Sequence, residues 1–445
     1  MLVDLRETLK LALPVMAARA GILVMTAVDT IMTGRFGADE LAFYAVGSAP
    51  FILFMLLGIG LATGTVVLVA QAMGADRLDE TGRIWRIACL DTAILGIGTA
   101  ILLLPGETLL GWLGQSPEVV EGGARVMRAF ALAMPAVLIF AVTSYFLEAI
   151  GRPHAGMVIM WLGNILNLLL DWLLMFGPIG IPPLGAEGAA LGTSITRWAM
   201  TAAIILYAFN FKGHRAYGVR GALGAVAPIR RALLKLGFPF AASQGLESSA
   251  FQFILVMAGW LGTAQLAAHQ AAINLNALFY MLTLGVATAT SVRVGRAAGR
   301  RRPDEIARAG WVGVGIGVAI MVTMAPLIAL FREQIGAVYT SDPLVIVVMA
   351  TALLVVGPTM IVDSGQGVVT AALRGTGDTW IPTVIHVSCF WPVMVGVAWY
   401  LAFPAGLGVI GLWWGLFTGL ALAFVLLGLR FAGRSRLSTP LAKAS

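Results

Sequence analysis

The chain has 445 residues, of which 59% are hydrophobic and only 11% are charged. Soluble domains carry about 25% charged residues on average, so this composition excludes a purely soluble protein. The net charge of +7 does not indicate nucleic-acid binding, because the basic residues lie between apolar segments rather than on one soluble face. The two cysteines, Cys89 and Cys389, lie inside apolar runs and give neither a disulfide framework nor a metal-site spacing.

Turn residues and charges divide the chain into twelve predicted transmembrane helices, since a helix needs about 20 apolar residues to cross a bilayer. In chain order the predicted spans are 9–33, 44–73, 86–104, 124–148, 155–177, 187–210, 234–261, 267–298, 309–335, 343–373, 380–403 and 405–432. The first run is interpreted as an uncleaved span rather than a signal peptide, because no small-residue cleavage pattern follows it.

The distribution of basic residues predicts the orientation of these spans. With both termini on one side, that side holds 23 of the 29 lysines and arginines and the opposite side holds four. The remaining two, Arg19 and Arg197, fall inside spans. Loops rich in Lys and Arg stay in the cytoplasm, so we expect a multi-pass protein of the bacterial cytoplasmic (inner) membrane with both termini cytoplasmic.

An internal repeat relates the two halves of the sequence. Residues 6–74 align with residues 231–299 without a gap and with 22 identities, including Pro14 with Pro239. The displacement that places residue 6 on residue 231 is called the repeat offset below. Six spans per copy return the chain to the same side, so both copies share one orientation. The sequence therefore predicts an all-α polytopic membrane protein, with twelve helices in two parallel six-helix bundles related by a pseudo-two-fold axis along the membrane normal.

The predicted domain organisation follows from this repeat. It comprises an N-lobe of six spans (1–211), a cytoplasmic linker (212–233), a C-lobe of six spans (234–432) and a cytoplasmic tail (433–445). Two similar lobes that rock about a site near the midplane are the arrangement of a secondary transporter with alternating access.

Charged and polar side chains deep inside spans mark the candidate sites. A charge at the bilayer centre costs about 2.5–3.5 kcal/mol on insertion scales, so such residues usually face a cavity and carry function. The candidates for cation coupling and substrate binding are Asp29 in span 1, Asn167 and Asp171 in span 5, Gln244 and Glu247 in span 7, and Asp363 in span 10.

Other charges lie near span ends or remain open. For Asp91, Arg125, Glu148 and Arg374 we expect structural pairing or snorkelling. Arg19 and Arg197 could each neutralise a neighbouring acid, and the sequence does not decide their roles.

Four segments resemble the MATE family, the multidrug and toxic compound extrusion transporters of the NorM and DinF type. They are Val28-Asp29-Thr30-Ile31-Met32-Thr33-Gly34, Gln71-Ala72-Met73-Gly74-Ala75, Leu266-Ala267-Ala268-His269-Gln270 and Leu373-Arg374-Gly375-Thr376-Gly377-Asp378. The resemblance implies a V-shaped cleft between two bundles and export of cationic or amphiphilic drugs in exchange for protons or sodium.

The resemblance also implies roles for the candidate residues. In that family a first-lobe site linked to proton coupling matches Asp29, Asn167 and Asp171 of this chain. A second-lobe cation site of the sodium-coupled type matches Glu247 and Asp363, so Na⁺ is a candidate ion there. Because this chain carries both sets, the motifs do not choose between H⁺ and Na⁺.

We therefore expect a secondary active multidrug efflux antiporter, acting as a monomer in the lipid bilayer with no cofactor besides its coupling ion. None of the four lysines follows a glycine, so no Walker A loop for ATP is present. The sequence contains no nucleophile elbow, and its four histidines do not have the spacing of metal ligands. No motif therefore indicates an enzyme. The alternative is a lipid-linked saccharide flippase of the related fold. Four acids but only two arginines lie deep inside the predicted spans. This charge balance favours a cationic cargo over the pyrophosphate group that such a flippase carries.

Overall fold

The computed structural model describes residues 2–436 except 113, 115, 179, 181 and 341. Within them the chain is helical and forms no strand. The helices of the first half are α1 (Leu2–Phe36), α2 (Ala38–Ala62), α3 (Gly64–Gly74), α4 (Leu78–Leu103), α5 (Gly106–Trp112), α6 (Pro117–Ala131), α7 (Met134–Ala149), α8 (His154–Phe176) and α9 (Gly185–Asn210). Residues 437–445 of the predicted tail lie outside the described part.

The second half repeats this succession after a short 3₁₀ turn at His214–Tyr217. Its helices are α10 (Val226–Trp260), α11 (Thr263–Gly299), α12 (Pro303–Leu330), α13 (Arg332–Tyr339), α14 (Pro343–Gly375), α15 (Trp380–Ser388), α16 (Gly396–Ala402) and α17 (Val409–Arg436). A π-helical segment, Cys389–Val395, contains Pro392 and joins α15 to α16. Such segments are frequent at functional sites.

The predicted spans coincide with long helices. Ten helical segments of the described chain are long and apolar enough to cross a membrane, and the bent pair α6 and α7 makes an eleventh. This pair bends by 41° near Pro135, where proline removes a helical hydrogen bond. The predicted span 234–261 lies in α10, which has 35 residues but is not among these segments. The all-α polytopic class is confirmed.

The repeat is visible in the helix boundaries. Helices α1 and α10 both have 35 residues, and Gly37 and Gly262, which are related by the repeat offset, each precede the next helix. Asp76 and Arg301 are related in the same way, and they are the two non-glycine residues with positive φ in the described chain, at 56° and 58°. This conformation is unfavourable for an L-residue, so its recurrence at matched positions shows that the same turn was duplicated.

The chain packs as two compact units, which do not follow the sequence halves to their ends. The N-unit comprises Ala17–Ala241, and the C-unit comprises the chain up to Met16 together with the chain from Ala242. The first part of α1 therefore packs with the second half of the sequence, and the first part of α10 with the first half. The lobe boundaries inferred from the repeat remain a prediction.

Each unit has its own aromatic and aliphatic core. In the N-unit, Phe51 stacks on Phe130 with ring centroids 4.9 Å apart, and Trp85 stacks on Phe146 at 5.3 Å. In the C-unit, fully buried side chains include Trp413, Phe390, Phe431 and Met394. Close packing of this kind fixes the helices that carry the acidic residues, so their side chains are held at defined positions.

Candidate functional site

The first cluster lies inside the N-unit, around Asp29 on α1. One oxygen of this carboxyl, Oδ2, accepts hydrogen bonds from the hydroxyls of Tyr44 on α2 and Thr193 on α9, each at 3.0 Å. Asp29 is only 2% exposed. Three helices thus converge on one buried carboxyl group, which a chance arrangement in an apolar bundle would not produce.

Asp171 on α8 completes this cluster. Its Oδ1 accepts a hydrogen bond of 3.2 Å from Asn167, whose amide nitrogen also donates to Thr193 at 3.1 Å. The Asp171 and Asn167 side chains are fully buried. Gly192 on α9 lies directly against Asp171 Oδ1, and any larger residue there would collide with the carboxyl. The absence of a side chain at Gly192 leaves room for the Asp171 carboxyl group in this position.

The two carboxyl groups of the N-unit are linked through two side chains. Thr193 donates to Asp29 and accepts from Asn167, which also donates to Asp171. A proton on one carboxyl group would reduce the negative charge enclosed in this buried cluster, so the cluster is a candidate site for an exchangeable proton. The family resemblance had grouped Asp29 with Asn167 and Asp171, and the structure places the three in one cluster and adds Tyr44 on α2 and Thr193 on α9.

The two arginines that fall inside predicted spans, Arg19 and Arg197, differ in their contacts. Arg19 lies 4.0 Å from Glu148 and 5.5 Å from the ring centre of Tyr145, which supports the expectation that Glu148 is structurally paired. Arg197 lies on α9 one turn after Thr193, close enough to Asp29 and Tyr44 to interact electrostatically. Its Nε is buried without a hydrogen-bond partner among the described residues.

The second cluster lies inside the C-unit, around Asp363 on α14. Its two oxygens accept hydrogen bonds from Gln366 at 3.1 Å and from Asn276 on α11 at 3.5 Å. Asp363 is 4% exposed. Because both donors are neutral amides, the carboxyl is oriented without a direct ion pair and keeps its capacity to attract a cation.

His386 on α15 extends this cluster to a fourth helix. Its Nε2 is 3.1 Å from the side-chain oxygen of Gln366, and its Nδ1 is 2.7 Å from the hydroxyl of Ser243 on α10. Since Gln366 uses its amide nitrogen on Asp363, its oxygen must accept from His386 Nε2–H. The four histidines lack the spacing of metal ligands, and no other feature of the sequence predicted a role for His386. Its position before the proline-containing Cys389–Val395 segment was an available signal.

Glu247 and Gln244 lie on α10 and stay outside this hydrogen-bond network. Both side chains are half-buried, and neither makes a hydrogen bond with the described residues. Glu247 is close enough to Asp363 and Arg374 for electrostatic interaction. The C-unit therefore presents one fixed carboxyl, Asp363, beside one accessible carboxyl, Glu247, and the roles of both remain predictions.

Charges near helix ends form ordinary ion pairs. Asp91 on α4 accepts from Arg230 at 2.6 Å, and Asp4 at the start of α1 accepts from Arg293 at 2.6 Å. The pair at Asp91 agrees with the expectation of structural pairing there. Within the described chain, no three or more His, Cys, Asp or Glu side chains are grouped to hold a metal ion. A Na⁺ at Glu247 and Asp363 would therefore need further neutral oxygen ligands.

Comparison with known proteins places this geometry in a wider context. The family model described as MatE matches the chain twice, over residues 14–173 and 239–400. The two matches begin at positions related by the repeat offset, which confirms the internal repeat. The same family model thus covers parts of both units, including every candidate residue on α1, α8, α10 and α14.

The chain is similar along nearly its whole length to proteins named probable multidrug resistance protein NorM. It is 36% identical over 409 residues to the one from Caulobacter vibrioides, covering 92% of this chain and 87% of that protein. It is 34% identical to the one from Rhodopseudomonas palustris, covering 96% and 91%. An outward-facing structure of a multidrug resistance MATE family transporter matches with a TM-score of 0.90, at 22% identity, covering 98% and 96%. The fold is thus that of a two-lobed MATE transporter.

Proposed function

Because the chain belongs to the MatE family, we propose that it is a secondary active multidrug efflux transporter. It exports cationic or amphiphilic organic compounds across the bacterial cytoplasmic membrane by antiport with H⁺ or Na⁺. The observation that carries this proposal is the presence of a buried carboxyl pair in the N-unit and a second acidic site in the C-unit. We further propose alternating access, cytoplasmic termini and a monomeric transporter.

The two acidic sites support antiport because the same carboxylate can bind either the cationic cargo or the coupling ion. A carboxylate attracts an organic cation, and a proton or sodium ion that binds the same carboxylate weakens that attraction. One elementary charge moving inward gains about 2.3 kcal/mol per 100 mV. Exchange of one coupling ion for one monovalent cationic cargo moves no net charge, so the membrane potential adds this energy only for a neutral cargo or for more than one ion per cargo. In a one-to-one exchange of cations the driving force is the concentration gradient of the ion, of which each factor of ten supplies about 1.4 kcal/mol.

We propose a different coupling ion for each of the two sites. Asp29 and Asp171 lie in one buried cluster, linked through Thr193 and Asn167, and protonation of one carboxyl group reduces the charge enclosed there; this favours proton exchange in the N-unit. In the C-unit, Glu247 and Asp363 supply the oxygen ligands that a hard cation such as Na⁺ prefers. A protein with both sites can couple to either ion, and the ion gradients must be tested separately.

The test uses purified protein in liposomes that contain a fluorescent organic cation. Dye movement is followed under an imposed proton gradient and then under an imposed sodium gradient, at the same membrane potential. We expect at least one gradient to drive export. Glu107→Gln is a matched control, because this acid pairs with Arg128 at an exposed position far from the two clusters in sequence. Movement under neither gradient would contradict antiport and make the lipid-linked saccharide flippase the leading function.

A further inference from the structure

In each unit, the first turn of one helix is held by a side chain from another helix. Glu40 on α2 accepts a hydrogen bond of 2.6 Å from the backbone N–H of Ala186, the second residue of α9. Gln265 on α11 accepts one of 2.8 Å from the backbone N–H of Val409, the first residue of α17. The first four N–H groups of a helix have no acceptor within that helix, so each side chain satisfies such a donor. These contacts are called the N-unit tie and the C-unit tie below.

The two ties are copies of one arrangement. Glu40 and Gln265 are related by the repeat offset. Each side chain lies against a glycine with positive φ, Gly185 at 53° or Gly408 at 57°, which directly precedes the donating residue. A methyl group on Gly185 would collide with the Glu40 carboxyl group. The same close approach at matched positions indicates that the tie was duplicated together with the fold.

The helices that the N-unit tie joins also hold Asp29. Tyr44, one turn after Glu40 on α2, donates to Asp29 Oδ2. Thr193 on α9 donates to the same oxygen. It follows Ala186 by seven residues, which is about 10 Å along a helix that rises 1.5 Å per residue. Two hydroxyl groups from different helices meet on one oxygen only when the helices keep a fixed displacement along each other, and the tie supplies that constraint.

The C-unit has the tie without this polar cluster. By the repeat offset, Asp29 corresponds to Ile254. Leu416 follows Val409 by seven residues, as Thr193 follows the donor of the N-unit tie. Ile254 and Leu416 are both fully buried. Removal of the C-unit tie should therefore lower stability without disturbing a carboxyl group at these positions, which makes it the matched control.

We propose that Glu40 is a positioning residue for proton coupling. By holding the start of α9 against α2, it keeps the hydroxyl groups of Tyr44 and Thr193 on Asp29. The positive end of the helix dipole favours a carboxylate here, but the accepting oxygen is the essential feature, since the C-unit tie uses the neutral amide of Gln265. This inference rests on the proposed function, in which the N-unit exchanges protons.

The first measurement requires no transport. The unfolding temperature in detergent is compared for Glu40→Ala, Thr193→Val and the variant with both changes. Residues about 10 Å apart normally have additive effects on stability. We expect the double variant to lose clearly less than the sum of the two single losses, because Glu40→Ala already weakens the Thr193 hydrogen bond. Gln265→Ala combined with Thr193→Val should be additive. Additive losses for both pairs would overturn the proposal.

Two further changes at Glu40 separate the hydrogen bond from the charge and from a failure to fold. Glu40→Gln keeps an accepting oxygen, so we expect the unfolding temperature of the wild type. A Glu40→Gln protein as unstable as Glu40→Ala would overturn the proposal, because the charge would then be the essential feature. Glu40→Asp withdraws the carboxylate by one methylene group and takes the place of Glu40→Ala if that variant does not reach the membrane. It should show the same non-additivity with Thr193→Val at a smaller size, and additive losses would again contradict the tie.

The second measurement tests the link to transport in liposomes that contain the fluorescent cation. The readouts are the proton concentration that gives half-maximal export and the maximal rate. We expect Glu40→Ala to need about tenfold more protons, with a maximal rate within about twofold of the wild type. Glu40→Gln and Gln265→Ala should keep the proton dependence of the wild type. An equal shift for Glu40→Ala and Gln265→Ala, or no shift for either, would overturn the positioning role. If the wild-type protein shows no proton-driven export, the proposed coupling ion of the N-unit is wrong, while the unfolding temperatures still decide whether Glu40 positions Thr193.

Discussion

The acidic sites of the two units differ in how many of their polar atoms have hydrogen-bond partners. In the C-unit, both oxygens of Asp363, both amide atoms of Gln366 and both ring nitrogens of His386 have hydrogen-bond partners. In the N-unit, Asp29 and Asp171 each keep one buried oxygen without a donor among the described residues. A fully satisfied polar network is rigid, whereas unpartnered buried atoms favour the binding of something else. The C-unit thus fixes one carboxyl, and the N-unit is prepared to take up a proton or a ligand.

The largest effect is expected from the acids of the C-unit. Asp363→Asn removes the charge and places an amide nitrogen against one of the two donors, Gln366 or Asn276. Because hydrogen bonds to charged groups contribute about 1.5–3 kcal/mol each, we expect export to fall about a hundredfold or more. Glu247→Gln should have a similar effect by removing the accessible charge. Drug resistance of cells and the amount of protein in their membranes are measured together, and wild-type resistance in both variants would refute the assignment.

The N-unit acids should instead control the dependence of export on pH. Asp171→Asn replaces one of the two carboxyl groups of the buried cluster by an amide, which cannot take up and release a proton in the same way. We expect export driven by a proton gradient to fall by at least about tenfold and the remaining transport to lose its pH dependence. Asp29→Asn should give the same pattern. Transport rates in liposomes at acid and alkaline pH provide the measurement. A pH profile like that of the wild type in both variants would move proton coupling to the C-unit.

A smaller effect is expected from His386, which orients the Gln366 amide rather than binding an ion. His386→Phe fills the space against Phe390 but removes both ring nitrogens, so Gln366 is free to rotate away from Asp363. Loss of one buried hydrogen-bond partner costs about 1–3 kcal/mol, and we expect about a tenfold weaker affinity for the coupling ion. Ser243→Ala, which removes only the Nδ1 partner, should have a milder effect.

The readout for His386 is the concentration of the driving ion that gives half-maximal export, compared with the maximal rate. A positioning role predicts a change in the ion dependence with little change in the maximal rate at saturation. An unchanged ion dependence for His386→Phe, with normal protein levels, would show that the histidine only packs against Phe390.

The smallest effect concerns stability at the contact between Gly192 and Asp171. Gly192→Ala places a methyl group against Asp171 Oδ1, and overpacking of this kind costs about 1–3 kcal/mol. We expect a lower thermal unfolding temperature in detergent together with weaker proton coupling. Gly98→Ala is the matched control, because a methyl group there meets no atom within 4 Å. A Gly192→Ala protein as stable as Gly98→Ala would mean that α9 can move away from Asp171 without loss of stability.

The sequence by itself determined the fold class and much of its detail. Long apolar runs must form helices in a bilayer, because every backbone polar group needs a partner within its own segment. For this reason the twelve predicted spans coincide with helices or helix pairs, and the repeat offset recurs in the left-handed turns at Asp76 and Arg301. Helical spacing also placed Asn167 and Asp171 on one face.

Only the tertiary structure decided which of the polar residues meet. Tyr44 and Thr193 join Asp29, and His386 joins Gln366, from other helices. No periodicity within one helix contains that information, because it depends on how neighbouring helices are rotated and how closely they approach at small residues such as Gly192. The same limit applies to Arg197. Its charge is evident in the sequence, but the lack of a bonded partner among the described residues becomes visible only after the neighbouring side chains have been placed.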